Sequence, residues 1–151
     1  MRRVRWLAGR AGLAVLAVLA VLMAVGAAAD VATPPGIREL HFKPGTRTLT
    51  VADAAVRGEQ HIWRFEARAG QTAALGVSAL EGNAAITVWR PGARLPTDPG
   101  DEIEGRTLPG AGAGDDATRW HGRLPDSGVY LVVVGATRGN ASYRLRLKIQ
   151  P

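Results

Sequence analysis

The sequence predicts an all-β protein: a single-domain antiparallel β-sandwich, jelly-roll-like, preceded by an N-terminal signal helix. Three observations carry that expectation. Beyond residue 36, apolar residues recur in short runs with period two. Turn pairs separate the runs at Pro44-Gly45, Arg57-Gly58, Ala69-Gly70, Gly82-Asn83, Ser127-Gly128 and Gly139-Asn140. No window of helical length after the first 29 residues keeps a 3.6-residue apolar period. Regularly spaced short strands between Gly-rich turns stack as a sandwich.

The chain opens with Arg2, Arg3 and Arg5, followed by an apolar stretch from Leu13 to Val25 and then Ala27-Ala28-Ala29. A basic start, an apolar centre and small residues at the end form a secretory signal. Cleavage after Ala29 leaves 122 of the 151 residues, predicted to be periplasmic or secreted, with no membrane contact once the leader is gone. An uncleaved anchor is the competing reading, since a span needs ~20 apolar residues. The alanine run and the lack of a basic stop favour cleavage. Residues 30–36 are expected to be a linker and 37–151 the domain.

The net charge of +6 is concentrated in the leader. Four of the 19 basic residues lie before residue 12. From Asp30 onward 15 basic residues face 13 acids. A near-balanced domain argues against a nucleic-acid partner. The absence of cysteine excludes thiol catalysis, zinc-thiolate sites and iron–sulfur clusters. No residue pattern asks for a cofactor.

The strands follow in order. Thr46–Val51 is β-branched and alternating. His61–Ala67 alternates apolar with polar. Ala73–Leu80 and Ala85–Trp89 are two more candidates. Val129–Val134 is continuously apolar, as a strand buried on both faces would be. In Tyr143–Ile149, Tyr143, Leu145, Leu147 and Ile149 share one face; Arg144, Arg146 and Lys148 share the other. That basic stripe has two readings: contact with an anionic polymer, or a guard against edge-to-edge pairing. Residues 91–116 hold ten glycines and prolines in 26 positions, which predicts a long loop with one short strand near Ile103.

Three segments carry a resemblance: Trp63–Gln71 with Leu75 and Val77, Leu124–Val133, and Tyr143–Ile149. Together they resemble the bacterial pre-peptidase C-terminal-like β-sandwich, and within it the periplasmic inhibitors of g-type (goose-type) lysozyme. His41-Phe42-Lys43-Pro44-Gly45 fits the same group. The resemblance implies a non-catalytic binding protein whose Ser-Gly-x-Tyr loop enters an enzyme cleft. Here that loop is Ser127-Gly128-Val129-Tyr130. In those inhibitors a long basic loop joins the last two strands; here residues 135–142 are short, with Arg138 as their one charge.

The expected partner-binding set is therefore Ser127, Gly128 and Tyr130, with Arg123 and Arg138 supplying charge; the competing reading of the same residues is a tight turn before a core strand, with the Tyr130 ring buried and its hydroxyl partnered. A cleft that cleaves glycans carries carboxylates, which hydroxyl and guanidinium donors can engage. The alternative is a module that binds envelope polysaccharide or another envelope protein. Asp98, Asp101, Glu102 and Glu104, with Asp115 and Asp116, make the long loop acidic, a possible calcium site or a solvated surface. Trp63, Trp89 and Trp120 are either core or a sugar-stacking platform. His41, His61 and His121 show no ligand spacing. No nucleophile–base constellation is present, so no enzyme activity is expected.

Overall fold

The computed structural model describes residues 36–98 and 101–151. The expected leader at 1–29, and all but the last residue of the linker, lie outside the described residues. Eight strands form: β1 (Ile37–Glu39), β2 (Thr48–Ala55), β3 (Gln60–Ala67), β4 (Thr72–Ala79), β5 (Ala84–Trp89), β6 (Arg119–Arg123), β7 (Gly128–Ala136) and β8 (Ala141–Gln150). No helix occurs among the described residues.

The strands form two four-stranded sheets, in the orders β1-β3-β7-β5 and β2-β8-β4-β6. Their inner faces pack together. Trp63, Phe65, Ile86, Val88, Tyr130, Val132 and Val134 come from the first sheet; Leu75, Val77, Tyr143, Leu145 and Leu147 come from the second. Period-two alternation produces this core, because every second side chain of a strand points to one face. In β8 the pattern runs buried–exposed without a break from Ala141 to Lys148.

One pairing departs from the antiparallel expectation: β1 runs parallel to β3. The connection after β1 crosses to the second sheet, β2 runs back, and the 56–59 turn sends β3 in the original direction. Two strands of one sheet separated by a strand of the other must therefore run the same way. All other strand pairs are antiparallel.

Residues 91–116 are not a free loop, and no strand forms at Ile103. The segment turns back along the outer edge of β5. Glu104 bridges Arg94, Thr107 bridges Trp89, and Ala117 bridges Ile86. Leu108 and Ala111 are fully buried in the core. This return covers the otherwise open edge of the first sheet, which leaves fewer unpaired backbone groups for pairing with other chains. Pro96, Ile103 and Ala113 also line a groove of about 230 Å³ over the outer face of that sheet, beside Ile62, Thr87, Trp89 and Val133. With that face sheltered, Tyr130–Val134 of β7 is buried on both sides.

Candidate functional site

The β6–β7 connection, Leu124-Pro125-Asp126-Ser127, is held at four points. Leu124 is buried; its amide donates to the Gln71 carbonyl (2.8 Å) and its carbonyl accepts from the Gly70 amide (2.8 Å). Ser127 Oγ accepts from the Ala69 amide at 2.9 Å. The Tyr130 hydroxyl donates to the Asp126 carbonyl (2.8 Å) and accepts from the Asp126 amide (3.0 Å). Arg90 Nε donates to Asp126 Oδ2 at 2.6 Å.

Gly128 closes this loop for a steric reason. Its φ of +136° is one that side-chain-bearing residues rarely adopt, and an added Cβ would lie 3.0 Å from Pro91 Cβ. The ring of Tyr130 then stacks on Phe65, with centroids 5.4 Å apart and planes 14° from parallel.

Of the two places the sequence allowed Tyr130, the structure shows the core and not a partner-facing contact. Its ring is fully buried, and its hydroxyl is spent on the backbone of Asp126. It shapes the loop from beneath and offers no surface to a partner. Burial pushes its phenol pKa up, against the opposing effect of the hydrogen bond to Asp126. Ser127 is exposed at the tip.

Charge surrounds this tip. Arg68 sits in the β3–β4 turn that touches it, and Arg123 ends β6 just before it; both are exposed. The hydrogen bond from Arg90 holds the Asp126 carboxyl below the usual range against the opposing effect of burial, helped by the charges of Arg90 and Arg106. Asp126 in turn raises the Arg90 guanidinium. Arg68, Arg106 and Arg123 have no ion-pair partner among the described residues.

Arg138 does not belong to this tip. It follows β7, whereas Ser127 precedes it, and nine strand residues span about 30 Å. At that opposite end Arg138 Nη2 donates to the Glu81 carbonyl (2.7 Å). The buried Asn83 side chain donates to the carbonyls of Arg138 (2.9 Å) and Asn140 (2.8 Å), bolting down the short 137–140 turn.

The remaining candidates separate. Asp98, Asp101, Glu102 and Glu104 are exposed. Among the described residues no three His, Asp or Glu side chains gather to hold a metal ion. Trp63 is buried in the core. Trp120 packs against the core from β6 and donates to the Pro109 carbonyl, and Trp89 faces the outer groove. They form no shared platform. His61 is buried, His41 lies beside Glu39, and His121 is exposed on β6.

Arg68, Arg90, Arg106 and Asp126 went unnoticed in the sequence. Arg90 and Asp126 are 36 positions apart and meet only through the fold. A short polar turn beside a buried tyrosine was the one legible sign.

No protein-family model matches the chain, and no curated protein matches it. Among solved structures it is similar to Aeromonas hydrophila PliG, a periplasmic lysozyme inhibitor of g-type lysozyme. The identity is 23%, covering 76% of this chain and 96% of that one, with a TM-score of 0.57. Salmonella Typhimurium PliG, also a periplasmic inhibitor of g-type lysozyme, is 20% identical over 76% of this chain and 97% of that one, with a TM-score of 0.53. Likeness at these identities is a likeness of fold, and it agrees with the resemblance carried by Trp63–Gln71, Leu124–Val133 and Tyr143–Ile149.

Proposed function

We propose that the chain is an exported, non-catalytic protein that blocks the cleft of a g-type lysozyme with the Pro125–Gly128 tip. The observation that carries this reading is the rigid, arginine-rimmed hydroxyl tip. Ser127 is exposed on a loop whose backbone is fixed by Tyr130, Arg90, Gln71 and Ala69. A loop already held in shape loses little conformational entropy on binding. Arg68, Arg106 and Arg123 around it complement the acid pair that glycan-cleaving enzymes carry in their clefts. In this reading Ser127 and Gly128 make the contact, Arg123 supplies charge, and Tyr130 acts as a buried prop. Arg138 has no part in it.

The fold shared with two periplasmic inhibitors of g-type lysozyme supports the reading. So does the leader-like start of the sequence, which points to the compartment in which such an inhibitor works.

The test is a titration. Purified protein is added to a g-type lysozyme, and lysis of a cell-wall suspension is followed by turbidity. Activity should fall toward zero near one equivalent. Ser127→Trp, which overfills the exposed tip and gives up the hydrogen bond from the Ala69 amide, should abolish the effect. Undiminished lysis at a molar excess of the unaltered protein rejects the reading.

A further inference from the structure

The outer face of the second sheet is cationic and carries no acid. Residues paired across neighbouring strands share a face, so the register lays this one out in rungs. Arg144 lies beside Ser78. Arg146 is followed by Gly76 and then Arg119. Lys148 is followed by Ala74 and then His121, and Gln150 by Thr72 and then Arg123. On the far side, β2 contributes Thr48, Thr50, Ala52 and Ala54. Two basic rows, on β8 and β6, thus flank a floor of small residues on β4. The rows stand about 10 Å apart, and successive side chains within a row about 6.6 Å apart.

Nothing in the fold accounts for these charges. Arg119, Arg123, Arg144, Arg146 and Lys148 are all exposed. None has an ion pair or side-chain hydrogen bond among the described residues. The guard against edge pairing, offered from the sequence, fails for β8, which is flanked by β2 on one side and β4 on the other. Like charges in a row repel, and here no internal carboxylate offsets them.

We propose that this face binds a linear anionic glycan, a sugar chain bearing acid groups, laid along β4 between the two basic rows. Arginine forks match planar or tetrahedral acid groups bidentately, and four of the five cations are arginines. Thr48, Thr50, Thr72, Ser78 and Ser142 place hydroxyls on the same face, suited to sugar hydroxyls. Apart from the lone His121 imidazole on β6 and Leu80, exposed beside Ser78 and Arg144 at one end, the face holds no aromatic ring on which a nucleobase would stack and no large aliphatic side chain to enter a lipid layer. Those absences favour the glycan over a polynucleotide or a membrane. Gly76 puts no side chain of its own at the centre of the trough, so the Arg119 stem lies down against it, 3.7 Å from the position of a Cβ. The binding surface is separate from the Ser127 tip, so this proposal stands or falls independently of lysozyme inhibition.

The experiment measures binding of the full-length protein to a fluorescent linear oligogalacturonate at low salt, with neutral dextran as control. Saturable binding to the uronate, absent for dextran and weakening as salt rises, is expected. The triple variant Arg144→Ser, Arg146→Ser, Lys148→Ser should lose about tenfold or more in affinity. A control that removes equal charge elsewhere, Arg47→Ser, Arg57→Ser, Arg94→Ser, should lose no more than about threefold. Equal losses in the two triples would reduce the effect to net charge and overturn the proposal. Gly76→Gln keeps every charge and fills the trough; it should weaken binding, and unchanged affinity there overturns it too. Thermal unfolding of each variant establishes that it is folded. Tighter binding to single-stranded polynucleotide or to phosphatidylglycerol vesicles than to the uronate assigns the face to those partners and also overturns the proposal.

Discussion

The Tyr143 hydroxyl lies 2.8 Å from His61 Nδ1, joining β8 of one sheet to β3 of the other inside the sandwich. Trp63 Nε1 donates to the same oxygen at 3.0 Å. An indole N–H is a donor only, so the phenol oxygen accepts there while it also meets the His61 ring. His61 Nε2 faces the Glu59 carboxylate at 3.6 Å. Asp53 and Arg38 complete the cluster beside it. Tyr143→Phe removes the shared oxygen and strands the Trp63 donor. An unsatisfied buried group costs about 1–3 kcal/mol, so thermal unfolding should shift down by several degrees. An unchanged Tm would show that water replaces the hydroxyl.

Both tyrosines of the chain, Tyr130 and Tyr143, are buried. Burial raises each phenol above its ordinary value of 10.0. A raised folded pKa means that the native state holds its proton longer than the unfolded chain. That stabilisation is complete below pH 10 and drains away as the pH climbs through the raised values. With no exposed tyrosine to contribute, phenolate absorbance should appear only together with loss of near-ultraviolet dichroism. Smooth titration near pH 10 in a protein that keeps its dichroism would contradict this.

The strands from β2 to β5, with β7 and β8, were legible because each has a clear period or an unbroken apolar run bounded by glycine turns. β6 was not. Arg119-Trp120-His121-Gly122-Arg123 has one apolar residue, Trp120, to mark its inner face, and pairing with β4 makes it a strand. The 91–116 segment misled in the other direction. Its glycines and prolines do exclude a regular strand, but composition does not show that Leu108 and Ala111 plug the core. The Ser127 turn could be read from local residues; its arginine rim, and the distance of Arg138 from it, depend on which strands become neighbours.

Leu108 tests that account of the segment. A buried leucine cut to alanine costs about 2–5 kcal/mol, so Leu108→Ala should destabilise the whole domain as a core change would. Glu102→Ala, on the exposed part of the same segment, should stay within about 0.5 kcal/mol of the parent. Denaturant midpoints for the two variants distinguish a packed return from a dispensable loop. Equal midpoints would refute the packed arrangement.

Gly128 makes a sharper demand on the tip. Alanine there meets both a disfavoured φ of +136° and the Pro91 ring 3.0 Å away. Strain of this kind costs about 1–3 kcal/mol. Gly128→Ala should therefore lower the Tm and weaken the proposed lysozyme inhibition together. A variant that keeps its full potency would show that the tip does not need its present backbone.

Asp126 separates loop shape from overall stability. Arg90 holds its carboxyl below the ordinary 3.8, and the pair is half-buried at the rim of the fold, outside the core. A carboxylate with a depressed folded pKa contributes above its ordinary value, and that contribution is lost as the pH falls through the lowered one. Protection of the Asp126 amide, which donates to the Tyr130 hydroxyl, measured against an unstructured peptide at the same pH, should therefore hold just above pH 3.8 and fall only in stronger acid. Asp126→Ala removes the clamp at every pH. Surface ion pairs add little to global stability, so its Tm should barely move. The lysozyme inhibition proposed for the tip should nonetheless weaken by about tenfold, because the loop must then be ordered on binding. Equal falls in Tm and potency would mean that the Arg90–Asp126 pair supports the fold as a whole.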